Sequence, residues 1–274
     1  MRWLIALVLA LPAVALGQVN VEALRSNGTE DGLAGSIGLS AAYTSGNILF
    51  ADFGATANVE WLKGKDSVFF IMNHRFAAKR TQSDLLAEPD IGLWDEESHF
   101  SNNRLVHLRY NRSLSDRFSW EGYTQYEYNE FLLLDRRLLA GTGPRVTVVD
   151  GESAGLWIGT SAMVEEENLN PDRVSPVEDV SRVNLRSSTY ASLTVRPSES
   201  VSWTTTAYFQ PRVDELEDHR IAAESGLGFA MGKRFSFTVD ARYRKDSEPP
   251  QTPDGSAPVL ASDFTIKNGL KISF

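Results

Sequence analysis

The chain of 274 residues contains no cysteine, which excludes disulfide frameworks, thiolate metal sites and cysteine nucleophiles together. It has no surplus of basic residues either. Lys and Arg number 27 against 36 Asp and Glu, for a formal net charge of -9, so no basic surface for a nucleic-acid partner is expected. Histidine is scarce, with four residues. Beyond Gly17 no apolar run could cross a bilayer about 30 Å thick as a helix, and no stretch repeats apolar residues at i, i+3, i+4 and i+7. A mean hydropathy of -0.24 suggests an ordinary soluble protein, and the patterning contradicts that average.

The amino end reads as an export leader. Met1-Arg2 is positive, Trp3 to Leu16 is almost wholly apolar, and Ala15 and Gly17 are small residues two apart before Gln18. An apolar run of about 14 residues is too short for a membrane helix and fits a secretory signal peptide. Cleavage is expected after Gly17, with Ala15 as the alternative, leaving 26 basic against 36 acidic residues. Residues 18–32 then form a short periplasmic segment ahead of a single domain over 33–274.

That domain alternates with period two. Ala51, Phe53, Ala55, Ala57, Val59 and Trp61 are apolar, and Asp52, Gly54, Thr56, Asn58 and Glu60 between them are small or polar. The same holds for Val201 to Gln210 and for Arg234 to Tyr243. Such alternation builds strands with one oily face. Twelve are expected: Leu33–Ser45, Leu49–Leu62, Ser67–Ala78, Asn103–Ser113, Arg117–Glu130, Arg136–Val149, Ala154–Glu167, Arg182–Arg196, Val201–Arg212, Arg220–Met231, Arg234–Lys245 and Ser262–Phe274. Phe69 and Ile71 interrupt the polar face of the third, and Pro144 sits inside the sixth.

Connections after even-numbered strands are short and rich in turn residues, as in Lys63-Gly64-Lys65-Asp66 and Pro197-Ser198-Glu199. The long ones, Lys79 to Asn102, Asn168 to Ser181 and Asp246 to Ala261, all follow odd-numbered strands. An antiparallel barrel with one tight end and one looped end is the arrangement of an all-β outer-membrane barrel, with short periplasmic turns, longer external loops and both termini periplasmic.

Which face is oily decides between a membrane barrel and a soluble one. Glu60, Arg75, Arg109, Glu121, Glu127, Arg137, Arg145, Arg186, Glu224, Asp240, Arg242, Lys267 and Lys271 occupy the polar face, whereas Ala55, Leu108, Ile158, Ala191 and Leu227 occupy the other. Small residues such as Ala41, Ala57 and Ala162 would not fill the interior of twelve strands, but they sit easily against lipid. The charged face therefore lines a lumen, either as a pathway or as internal ion pairs that close it. Trp61, Tyr110, Phe118, Trp120, Trp203, Phe235 and Phe274 lie next to the tight turns, and Tyr43, Phe76, Tyr126, Phe209, Tyr243 and Phe264 near the loops. Two aromatic belts bracket an oily band of roughly 25 Å, the height of the outer membrane's apolar layer.

Two resemblances follow from these residues. The last strand, Phe264 to Phe274, alternates to its final phenylalanine and resembles the carboxy-terminal signature read by the barrel-insertion machinery, with Phe274 as the insertion signal. The hairpin Gly38-Leu39-Ser40-Ala41-Ala42-Tyr43-Thr44-Ser45-Gly46-Asn47, with Tyr126-Glu127-Tyr128-Asn129-Glu130-Phe131 and Leu134 to Gly143, resembles the DUF481 family, also called salt-induced outer-membrane proteins. The resemblance covers roughly Leu33 to Phe274 and implies an exported barrel of undefined biochemical role, embedded in outer-membrane lipid. It assigns no ligand. The acidic loop Leu85 to Asp90 through Asp95-Glu96-Glu97 departs from the family pattern. Physically, Ser45-Gly46-Asn47 is a tight hairpin whose Gly and Asn tolerate positive φ.

Little chemistry is legible. A lipid-cleaving barrel enzyme would need a serine beside an outward histidine. His74 faces outward between Met72 and Phe76, His107 lies on the polar face, and His99 and His219 fall in or beside loops. No cofactor or metal motif is present. Glu165-Glu166-Glu167, Asp214-Glu215-Leu216-Glu217-Asp218 and the Lys79–Asn102 loop read as a solvated acidic rim, since like charges spread apart in water. The expectation is a structural or stress-related envelope barrel or a narrow solute channel. A lipid-modifying enzyme or a soluble periplasmic binding barrel is the alternative, and the oligomeric state is open.

Overall fold

The structure, a computed structural model, describes residues 31–46, 48–95, 98–253 and 259–273. The expected leader Met1–Gly17, nearly all of the segment after it and Phe274 lie outside these residues. Twelve strands follow in order: β1 (Gly32–Thr44), β2 (Ile48–Lys63), β3 (Asp66–Thr81), β4 (His99–Ser113), β5 (Phe118–Asn129), β6 (Leu134–Asp150), β7 (Ala154–Leu169), β8 (Ser181–Ser198), β9 (Val201–Pro211), β10 (His219–Ala230), β11 (Phe235–Asp246) and β12 (Ser262–Ser273). A short α-helix, α1 (Gln82–Ala87), lies between β3 and β4, and a single 3-10 turn, Glu130–Leu132, between β5 and β6. Each strand pairs with its sequence neighbours, and β1 meets β12 to close the barrel. Among the described residues no helix is long and apolar enough to cross a membrane.

The observed strands match the expected ones in number and order, and the largest shift is at β4, which starts at His99 rather than Asn103. Pro144 is accommodated because β6 pairs with β5 through Trp120↔Pro144, while its pairing to β7 steps from Thr142↔Ala162 to Arg145↔Gly159. The missing N–H of proline thus falls where no ladder bond is required. Gly46 takes φ 127° in the β1–β2 turn, a conformation that glycine adopts without steric cost.

Side chains sort as a membrane wall requires. Trp61 (42% exposed), Leu108 (44%), Ile158 and Trp203 point outward, as do Tyr43, Tyr126, Phe209, Tyr243 and Phe264 near the looped end. Glu60, Arg109, Glu121, Gln125 and Thr206 are buried inside. A belt of large exposed apolar side chains around the whole circumference would be unstable in water and is stabilised by lipid.

The loops do different things at the external end. The β3–β4 loop folds back over the outer wall. Arg80 Nη2 donates to the carbonyls of Asp84 and Glu88, both at 2.7 Å, Leu93 packs on Ala51 and Ala78, and Trp94 stacks on Phe53 and Phe76 with centroids 6.2 and 6.0 Å apart. At the start of α1, the Thr81 hydroxyl and backbone N–H donate to Asp84, holding its carboxyl below the usual aspartate range. By contrast, Leu132, Leu133, Leu134, Leu169 and Val174 form an apolar cluster with Val259 against it, and Ser175 N donates to Gln251 O at 2.7 Å. The β5–β6, β7–β8 and β11–β12 loops therefore interlock above the β5–β8 side, while the β1–β2 turn is only residues 45–47.

Leu108 lies near mid-height on the outer wall. Leu108→Arg is expected to destabilise the barrel by about 2–4 kcal/mol in denaturant titrations in lipid vesicles. A loss below about 0.5 kcal/mol, typical of a water-exposed substitution, would contradict a lipid-facing Leu108.

Candidate functional site

The lumen is divided into a packed half and an open half, and the inward residues of each strand decide which. On β3 to β9 they are large. Arg109 on β4 is 0% exposed. Its guanidinium lies over the rings of Tyr123 and Tyr190 at 5.2 and 5.9 Å, 3.5 Å from Glu121. Tyr190 Oη donates to Glu121 at 2.7 Å, a contact between β8 and β5 that crosses the lumen over two intervening strands. Arg145 stacks on Trp157 at 5.1 Å and stands 3.7 Å from Glu121. Glycine makes room for these rings: a Cβ on Gly159 would lie 2.3 Å from the Tyr190 ring, and one on Gly141 would lie 2.4 Å from Tyr123.

Toward the external end the same half carries an ion network. Arg220 Nη1 donates to both Glu165 oxygens at 2.7 Å, Nη2 to Glu167 at 2.8 Å and Nε to Asp246 at 2.9 Å. Arg137 binds Glu167 at 2.7 Å and Glu127 at 3.2 Å, and Arg186 binds Glu165 at 3.2 Å and Asp218 at 3.0 Å. Buried charges survive only when each finds several opposite partners, and every carboxylate here faces at least one guanidinium. The expectation of a solvated acidic rim is therefore corrected for Glu165, Glu167 and Asp218, while Asp214, Glu215 and Glu217 are exposed. Glu165 and Glu167 are each 2% exposed and Asp218 3%, because β7 continues to Leu169 and its alternation turns Glu165 and Glu167 inward. Glu166 points outward and pairs with Arg136; Asp214 and Glu215 pair with Arg212 at the surface.

On β10 to β12, β1 and β2 many inward residues are Gly, Ser and Thr, among them Ser36, Gly54, Thr56, Gly226 and Thr238, and the strands leave a cavity of 1810 Å³. Its wall runs from Ser200 and Ser202 beside the tight turns to Ala42 and Asp52 near the external end. Two ion pairs stand on it, while Lys267 and Lys271 line it with no ion pair within 4.0 Å among the described residues. Arg75 and Asp52 meet at 2.5 Å, Arg242 and Glu224 at 3.6 Å, and Asp240 stands opposite Lys267 in register.

The residues singled out from sequence thus fall into two groups. Arg109, Glu121, Arg137, Arg145 and Arg186 are buried in the packed half; Arg75, Glu224 and Arg242 line the cavity, with Glu127 at the boundary between the two. Glu60 is buried on β2, while Phe274 lies outside the described residues. Asp52, Glu165, Glu167, Asp218, Arg220 and Asp246 were missed as lumen residues. Strand parity marks Glu165 and Glu167, but no local signal pairs residues that far apart around the wall. The cross-strand partners of His74 are Ala55 and Arg104, neither of which can serve as a nucleophile. Among the described residues no three His, Asp or Glu side chains are grouped to hold a metal ion.

The model of the family described as "Protein of unknown function, DUF481" matches residues 37–256, and the chain belongs to that family. No curated protein matches it in sequence. Among solved structures, an outer-membrane channel from Pseudomonas putida F1 aligns with a TM-score of 0.51 at 7% identity, over 94% of this chain and 100% of that one. The NanC porin aligns with a TM-score of 0.46 at 8% identity, over 88% and 97% of the two chains. The fold is that of an outer-membrane barrel.

Glu165, like Glu167, is shared by three arginines. Glu165→Gln leaves Arg137, Arg186 and Arg220 short of buried negative charge and is expected to cost about 3–5 kcal/mol in unfolding, whereas Arg112→Ala, which breaks the exposed pair with Asp66, leaves the unfolding midpoint nearly unchanged.

Proposed function

We propose that this DUF481 barrel is a narrow water-filled channel for small hydrophilic solutes across the outer membrane, confined to the open half of its lumen. The observation that carries this reading is the 1810 Å³ cavity, lined by many Gly, Ser and Thr and by charged side chains of both signs, between the tight turns and the external end. Barrels with wide aqueous channels use 16 to 18 strands. With twelve strands and half the lumen filled, the remaining passage is slender. Its opposed charge pairs, Asp52 with Arg75 and Glu224 with Arg242, favour polar and zwitterionic solutes over ions of one sign, since a ring of a single sign is what produces strong ion selectivity. On the same reading, Met1–Gly17 is removed on export and the carboxy-terminal segment, with Phe274 as its last residue, is presented to the insertion machinery. The packed half then serves as the fixed wall against which the passage is held open.

In planar bilayers the refolded protein is expected to give small single-channel currents with a reversal potential near zero in a salt gradient. Thr56 projects into the cavity, and Thr56→Trp is expected to lower the conductance by about twofold or more, since one bulky side chain fills much of a passage this narrow. A correctly folded, electrically silent wild-type barrel would overturn the channel reading.

A further inference from the structure

The seam that closes the barrel is incomplete. β1 and β12 pair from Ser36↔Ser273 to Leu39↔Leu270; neighbouring strands such as β10 and β11 are paired from Arg220↔Asp246 to Ala230↔Ser236. Toward the external end, Ser40–Thr44 of β1 is paired to β2 and Ser262–Gly269 of β12 to β11. Among the described residues no pair joins these two edges to each other. Five residues of open edge on β1 correspond to a slit about 16 Å long in the part of the wall nearer the external loops. Unpaired backbone N–H and C=O groups cannot face hydrocarbon without a free-energy cost, so an open edge there has to meet water or the polar part of a ligand.

The surroundings of the slit have a definite chemistry. The cavity reaches both edges, at Ser40 and Ala42 of β1 and at Thr265 and Lys267 of β12. Outside it stand Leu39, Tyr43, Phe264, Ile266 and Leu270, all exposed on the lipid face. Inside, Thr265 is 2% exposed and its hydroxyl has no hydrogen-bond partner. Asp52 and Glu224 are taken up by Arg75 and Arg242, and Asp240 is the one carboxylate in register with Lys267. Lys271 stands between Gly38 and Ser236. Among the described residues neither lysine forms an ion pair within 4.0 Å. An apolar doorway that opens onto two uncommitted ammonium groups matches a molecule with an alkyl tail and a negative head.

We propose that the β1–β12 slit is a lateral portal by which a single-chain amphiphile with an anionic headgroup passes between the membrane and the lumen, its head held by Lys267 and Lys271. This does not rest on conduction through the cavity, and the two can fail separately.

The test uses the full-length barrel in maltoside detergent with dansyl-labelled undecanoic acid as the fluorescent probe. Saturable binding is expected. Dodecanoate and dodecyl phosphate as competitors distinguish a carboxylate from a phosphate head, and dodecyltrimethylammonium is expected not to compete. Lys267→Gln and Lys271→Gln should each weaken binding by about fivefold or more, as loss of a charge-assisted contact does. Because the chain has no cysteine, Ser40→Cys with Gly269→Cys can be oxidised to staple the slit. Binding should be lost on oxidation and return on reduction in the same folded sample. Stapled protein that keeps its conductance while losing the probe would separate the portal from the pore. Absence of saturable binding, equal competition by the cationic amphiphile, or undiminished binding after stapling would overturn the proposal.

Discussion

Strands can satisfy their backbone polar groups within a membrane only in a closed sheet, and every other feature of this molecule is arranged around that constraint. Twelve antiparallel strands satisfy one another in register along all but the open part of the β1–β12 seam, and the period of two that follows from a pleated strand then sends alternate residues to lipid and to the lumen. Once Phe53, Leu108 and Trp203 are committed to the outer wall, Arg75, Arg109 and Glu121 have no choice but the interior. The charged lumen is a consequence of closing the wall as much as a functional device.

A lumen full of charge is stable only if its ions find each other or water. The two halves of this barrel use the two solutions. In the packed half, side chains reach across strands: Tyr190 to Glu121, Arg220 to Glu165 and Glu167, Arg186 to Asp218. Rings take up the remaining volume, with Gly141 and Gly159 leaving room for them. In the open half many inward side chains are short, so much of the space belongs to solvent, and Asp52 and Glu224 pair with the neighbouring Arg75 and Arg242. The same division runs into the loops, because three of them interlock above the packed side while the β3–β4 loop leaves the mouth and lies along the outer wall.

Much of this was legible in the chain. Alternation from Ala51 to Trp61 and from Phe235 to Tyr243 located strands, and the turn residues at Lys63-Gly64-Lys65 and Pro197-Ser198-Glu199 identified the tight end. The outward aromatics could be named because belts depend on height along a strand, which is countable. What was hidden depends on distances around the barrel. Glu165 and Glu167 looked like a rim because three successive glutamates suggest solvent, and only the arginines of β6, β8 and β10 show why two of them turn inward. Tyr208 falls on the polar face by alternation, but the packing of Tyr123, Trp157 and Tyr190 over Gly141, Gly155 and Gly159 has no local signature. The partial seam between β1 and β12 joins residues more than two hundred positions apart, and no local pattern in the sequence reports it.

The account turns on which side of the wall faces lipid, and tryptophan reports this directly. Single-tryptophan variants that retain only Trp203 or only Trp157 can be reconstituted in vesicles of brominated lipid, which quenches a ring in contact with the acyl chains. Trp203 is expected to be strongly quenched and Trp157, stacked beneath Arg145 in the lumen, to stay bright. Quenching of Trp157 as strong as that of Trp203 would contradict the inside-polar barrel on which everything else depends.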